Sequence, residues 1–430
     1  MNSIPIKLAI FCMALGAAAP WLGLSGLALI NLGVVGASAS IFLIAISRPK
    51  SLLQALDQTL GETTLLWLGA VPLLLGSILN EFRIGESYYG IGVIFALVTG
   101  AVLALSANAV ALAFLGQDKE ASLVEMFGWA AIVSTVVVFV VLPATVGSLG
   151  AGALDLFTTL DQNELIRVRF LNAFASLDNG LLAVPDNRGP NLRHEAALVL
   201  SAAAPVLLLR TDRKLLPAIV WLMLFFTLSR SALAAAFISV ILLSLADAGR
   251  GLSIKQVQAR VVVGAGAIAL TFLTLGASLA DRFQGGTDSS TEIRSSAILW
   301  AFENVLTEPF GFSLEELGDQ FTPPHVFLLD AALGAGFLGL LSALTILAFL
   351  INAVVVAWRS EARVEDPVKA LALSMGVVAL VRFFTAGSFL RSSIAWLAVG
   401  LLIAVSHNSR QARHLIARRS EQEREHPALR

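Results

Sequence analysis

Apolar runs of bilayer-spanning length recur along this chain from its first residues to about Ser406, where a polar tail begins. That feature decides the fold class. A backbone in hydrocarbon must satisfy its own hydrogen bonds, which only helices and closed barrels achieve. Spanning helices need roughly 20 apolar residues and barrel strands about 10, and the runs are of helix length. Of 430 residues, 57% are hydrophobic and 14% charged, where a soluble domain carries about a quarter charged. The expected fold is therefore all-α, a polytopic transmembrane helical bundle of about 12 spans. They are read at 6–23, 25–47, 64–80, 91–115, 128–149, 195–209, 215–229, 231–246, 261–280, 327–357, 369–387 and 392–406. The 195–209 run and the 215–246 pair are close to the minimum length.

Charge supplies the orientation. Lys and Arg concentrate in "SRPK" (47–50), "RTDRK" (210–214), "RGLSIKQVQAR" (250–260), "RSEARVEDPVK" (359–369) and the tail. These segments fall on one side of a twelve-span layout, the cytoplasmic side by the positive-inside rule, with both termini inside. Residues 1–409 form the membrane domain and 410–430 a basic cytoplasmic tail. Two longer segments, about 150–194 and 281–326, fall outside. Cys12 is the single cysteine, so an intramolecular disulfide and a cysteine-rich metal site are excluded. The first run passes into the second without an A-x-A-like cleavage site and is read as retained. Internal repeats, a phosphate-binding glycine loop and metal-ligand spacing are not found, and nucleic acid is not expected as a partner.

The outer face carries arginine and no lysine: Arg83, Arg167, Arg169, Arg188, Arg193, Arg230, Arg282, Arg294, Arg382 and Arg391. Topology alone disfavours both cations there, so the choice of arginine calls for another reason. A guanidinium grips phosphate through two parallel hydrogen bonds and keeps its charge at any physiological pH. An outer arginine cluster therefore suits an anionic, phosphate-bearing ligand. In "FTLSRSALAAAF" (226–237), Arg230 sits at a tight tip between two short spans. Snorkelling at the interface and binding of headgroup phosphate both fit that position. In "SSTEIRSSAILWAFENVL" (289–306), Ser289 and Glu292 make a capping-box pattern. Arg294 shares a face of the helix that follows with Ile298, Ala301 and Val305.

His325 stands in "FTPPHVFLLDAALGAGFLG" (321–339), behind two prolines and ahead of a helix containing Gly334, Gly336 and Gly339. Small residues let another helix or a lipid chain come close. Among the outer residues a histidine can move a proton at neutral pH, as arginine cannot. A hydrogen-bonded interfacial histidine is the alternative. Asp330 lies about a turn beyond it, too little for a metal site.

From about Leu198 to Leu347 the chain resembles the O-antigen ligase/polymerase superfamily of bacterial membrane glycan transferases. The resemblance rests on "TLSRSALAAAFISVILL" (227–243), on "IRSSAILWAFENVLTEPFGF" (293–312) with its Pro-Gly turn, and on the frame His325, nine residues after Val326, Gly336, two residues, Gly339. "RGPNLRHEAALVL" (188–200) is weakly similar to another family segment. The sequence departs from the pattern at Val326, usually polar, at Gly334, often Glu, and at Ile298, usually Leu.

The resemblance implies a core over about 195–350 and transfer of a glycan from undecaprenyl diphosphate, at the periplasmic face of the bacterial inner membrane. The acceptor is a glycan or a lipid A-core hydroxyl, and no cofactor, nucleotide or metal takes part. Arg294 and Arg230 would hold the diphosphate and His325 would handle the acceptor proton. Arg188, Arg193, Arg167 and Arg169 would guide the lipid head or glycan. Membrane lipids, a flippase and a chain-length regulator are the further partners implied. Polymerase is slightly favoured over ligase, because both long outer segments carry arginines. A non-enzymatic transporter is the alternative of another class.

Overall fold

The computed structural model describes residues 4–18, 32–84, 92–114, 120–136, 192–211, 215–227, 229–248, 289–305, 307–312, 324, 326–360, 366–385 and 389–407. Among these, all regular structure is helical. In chain order the helices are α1 (Ile4–Ala18), α2 (Leu32–Ser47), α3 (Pro49–Glu62), α4 (Thr64–Ile84), α5 (Gly92–Phe114), α6 (Glu120–Val136) and α7 (Leu192–Arg210). There follow α8 (Leu215–Phe226), α9 (Arg230–Ala248), α10 (Ser289–Asn304), α11 (Phe327–Arg359), α12 (Pro367–Thr385), a 3-10 turn at Phe389–Arg391, and α13 (Ser393–His407).

Three of them are long and apolar enough to cross a membrane: the Ala96–Phe114 part of α5, α11 and α12. A fourth is reached if α3 and the Leu66–Asn80 part of α4, bent by 57°, form one span. The expected count of about 12 spans is therefore not supported. Ile4–Ala17, Gly33–Ser47, Ser122–Val136, Leu215–Phe225, Ser231–Ala246 and Ser393–His407 are apolar but shorter. At 1.5 Å per residue, 15 residues cover about 22 Å of a hydrocarbon core about 30 Å thick. The span expected at 261–280, the tail 410–430 and the segment 150–191 lie outside the described residues, as does much of 281–326. The two periplasmic segments are thus without structural support.

α7 occupies the centre, in contact with α1, α6, α8, α9 and α12. Its sequence explains the position. In "EAALVLSAAAPV" the small side chains admit neighbours on every side, and Ala196, Val199, Leu200, Ala203 and Val206 are wholly buried. The Trp221 indole of α8 donates to the Ala204 carbonyl at 3.2 Å.

α4 and α11 share the most extensive helix pairing, with Gly69 against Thr345 and Gly76 against Ala335. α11 and α12 run antiparallel. At one end, the buried Lys369 ammonium donates to the Ser360 carbonyl at 2.7 Å and the Trp358 carbonyl at 3.4 Å, closing the C-terminus of α11. At the other end, Phe327 meets Phe383 and Phe389 at ring separations of 5.2 and 5.3 Å.

Candidate functional site at a broken helix

The run 327–357, expected as one span, is interrupted. Ala335 (φ −143°, ψ 18°) and Gly336 (φ 58°, ψ −141°) leave the helical region inside α11. Only glycine holds the Gly336 conformation without strain, and a Cβ there would overlap the Pro309 carbonyl. The break exposes main-chain groups that a turn at 309–312 takes up. Phe337 N–H donates to the Pro309 carbonyl at 2.9 Å, and Phe312 N–H donates to the Leu333 carbonyl at 2.7 Å. Gly311 makes that approach possible with φ 87°. From α4, Asn80 donates through Nδ2 to the carbonyls of Phe312 (3.1 Å) and Gly334 (3.3 Å). One side chain thus ties together the turn and the break.

The "PFGF" turn and the Gly336 frame, two separate sequence signals, are one structural unit. α10 joins it. Ala301 is buried with Leu329 and Leu333, and Val305, Phe312 and Val326 pack around them. Trp300 and Phe312 lie 5.7 Å apart ring to ring. Val326 is part of this apolar cluster. Arg83 holds the turn from outside, donating to the Gly311 carbonyl at 3.0 Å. It stands 3.7 Å from Glu308 and 5.7 Å from the Phe310 ring centre. Around this unit Phe82, Leu299, Phe302, Phe310 and Phe337 are exposed.

The expected site residues fare as follows. His325, Arg188, Arg169 and Arg167 lie outside the described residues. For Arg193, Arg230 and Arg294 the backbone alone is described: the second residue of α7, the first of α9, and the first half of α10. Of the face assigned to Arg294, Ala301 and Val305 turn toward α11 while Ile298 is 36% exposed. Residue 294 is therefore in register with the side of α10 that meets the segment following position 325. Arg230 opens a helix whose main neighbours are α7 and α12.

Two buried acids were not among the expected site residues. Glu195, in the first turn of α7, is wholly buried. Arg382 from α12 donates to its Oε1 at 2.8 Å, and Ser392 donates to its Oε2 at 3.1 Å. Asp330, three residues into α11, is also wholly buried, yet neither of its carboxylate oxygens has a hydrogen-bond partner among the described residues. Both were visible as single acids in or beside apolar runs. Their difference was not, because it depends on partners distant in sequence. No group of three or more His, Cys, Asp or Glu able to hold a metal ion occurs among the described residues.

Comparison with known proteins finds no family model and no curated protein that matches this chain.

Proposed function

We propose that the protein is a membrane glycan transferase. It would act at the periplasmic face of a bacterial inner membrane, taking an undecaprenyl-diphosphate-linked glycan as donor and a sugar hydroxyl as acceptor. The topology that goes with this reading has twelve spans and both termini in the cytoplasm. Arg294, with Arg230, holds the diphosphate and stabilises the charge that develops on the leaving group. His325 orients or deprotonates the acceptor hydroxyl. Arg188, Arg193, Arg167 and Arg169 guide the lipid head or the glycan. Polymerisation of a lipid-linked repeat unit is favoured over ligation of a finished glycan to lipid A-core.

The observation that carries the reading is the joined unit of α10, the 309–312 turn and the broken α11. Val326 shares an apolar cluster with Ala301 and Val305, so the segments bearing Arg294 and His325 converge on one local structure. The exposed Leu299, Phe302, Phe310 and Phe337 beside it suit a lipid-borne substrate. One observation favours the transporter reading. α11 is discontinuous and carries a buried acid whose carboxylate has no partner among the described residues, features that substrate and ion sites of transporters share.

The test is a gene deletion with surface glycans resolved on a gel, complemented by wild type, His325→Ala and Arg294→Ala at matched protein levels. Loss of long glycan that only wild type restores is expected. Single-unit caps left on the normal acceptor identify a polymerase, and accumulated lipid-linked long chains identify a ligase. An unchanged glycan profile, or full rescue by both variants, overturns the proposal and leaves transport as the stronger reading.

A further inference from the structure

α3 was expected as part of a cytoplasmic connection and is instead a helix, started by Pro49, whose ring is suited to the first helical turn. Three stripes run along it. Ala55, Gln58 and Thr59 are buried against α5, where Asn108 donates to the Ala55 carbonyl at 3.3 Å and to Thr59 Oγ1 at 3.0 Å. Leu53, Leu56 and Leu60, spaced i, i+3, i+7, are exposed by 67%, 42% and 64%. Lys50, Gln54 and Asp57, spaced i, i+4, i+7, form a third stripe that is also exposed. Protein, apolar medium and water each have a side.

We propose that α3 lies flat in the headgroup–acyl boundary of the bilayer, with Leu53, Leu56 and Leu60 dipping among phospholipid chains and Lys50, Gln54 and Asp57 facing the headgroups and water. Three observations select lipid as the occupant. The leucine and polar stripes adjoin on a helix about 10 Å wide, so the surroundings change from apolar to aqueous over that distance, as they do at a membrane boundary. The flanking helices also carry outward apolar residues, Phe42 and Ile46 on α2 and Leu68 and Leu75 on α4. The 57° bend between α3 and the Leu66–Asn80 part of α4 lets α3 follow the membrane plane while α4 enters it. A re-entrant path is disfavoured, since it would carry Lys50 and Asp57 into hydrocarbon.

The inference rests on the membrane residence of the chain and is independent of its chemistry. In the full-length protein carrying Cys12→Ala, single cysteines replace Leu53, Leu56, Leu60, Gln54 and Asp57 in turn. Leu344, an exposed residue of α11, serves as the reference for the bilayer interior. Each variant is labelled with a small fluorophore and reconstituted in phosphatidylethanolamine–phosphatidylglycerol vesicles. Quenching is then read with shallow brominated lipid, deep brominated lipid and iodide. Expected is strong shallow-lipid quenching at 53, 56 and 60, with about tenfold less iodide quenching than at 54 and 57, and deep-lipid quenching at 344. Equal iodide quenching at all five α3 positions overturns the proposal, as does deep-lipid quenching along all of α3. Absence of lipid quenching at 344 as well would overturn the membrane reading itself.

Discussion

Glu195 and Asp330 are both carboxylates without solvent exposure near helix starts, and they differ in every other respect. Glu195 is closed off. Arg382 and Ser392 take one oxygen each, so α7, α12 and the lead into α13 meet on a single side chain. The Asp330 carboxylate has neither counter-ion nor hydrogen bond among the described residues, and it sits ahead of a break that Asn80 and a separate turn hold open. Burial of a charge is costly, and pairing offsets that cost only when geometry and hydrogen bonds are complete. The first acid therefore acts as a joint of the scaffold. For the second, no described residue supplies that compensation.

The comparison can be broken most forcefully at Arg382. Arg382→Met strands Glu195 in an apolar interior and should cost about 3–5 kcal/mol, read as a lowered unfolding midpoint in detergent. Adding Glu195→Gln should recover much of the loss. If the single variant is as stable as wild type, the joint is not a joint. Gly336→Ala comes next. It forces a side chain into a left-handed conformation and against the Pro309 carbonyl, for about 2–4 kcal/mol, and under the proposed function surface glycan should fall with it. Asn80→Leu leaves the Phe312 and Gly334 carbonyls without their donor and should cost about 1–3 kcal/mol, measured in the same way. Smallest in stability and sharpest in meaning is Asp330→Asn. It should leave stability within about 1 kcal/mol of wild type or raise it, while under the proposed function a working role for Asp330 is read as loss of the long surface glycan. Retained glycan together with unchanged stability would remove Asp330 from the working parts.

Helix content was legible because periodicity and length act locally. Bilayer passage was harder to read. Hydropathy extends past the point where a helix ends, so "LLPAIVWLMLFF" reads as a span although the helix it forms has 12 residues. The break in α11 was half visible. The glycines at 334, 336 and 339 were read as a close-approach surface, whereas Gly336 is needed for its backbone angles, a requirement set by Pro309 from another part of the chain. α3 was overlooked because its leucines are diluted by Gln54, Asp57 and Gln58, and a hydropathy search passes over an amphipathic helix. At the candidate site, Arg294 and His325 were picked out by residue type. The convergence of their segments came only with the contacts of Ala301, Val305 and Val326.

The interruption at Gly336 also sets a length. As one rod, the 33 residues of α11 would measure about 50 Å, well beyond a hydrocarbon core of about 30 Å. Cut at the glycine, the part from Phe337 to Arg359 measures about 34 Å and fits the bilayer with a modest tilt. What remains, Phe327 to Gly334, is a stub about 12 Å long. The two non-helical residues, Ala335 and Gly336, thus separate a segment long enough to cross the bilayer from a short one that is not.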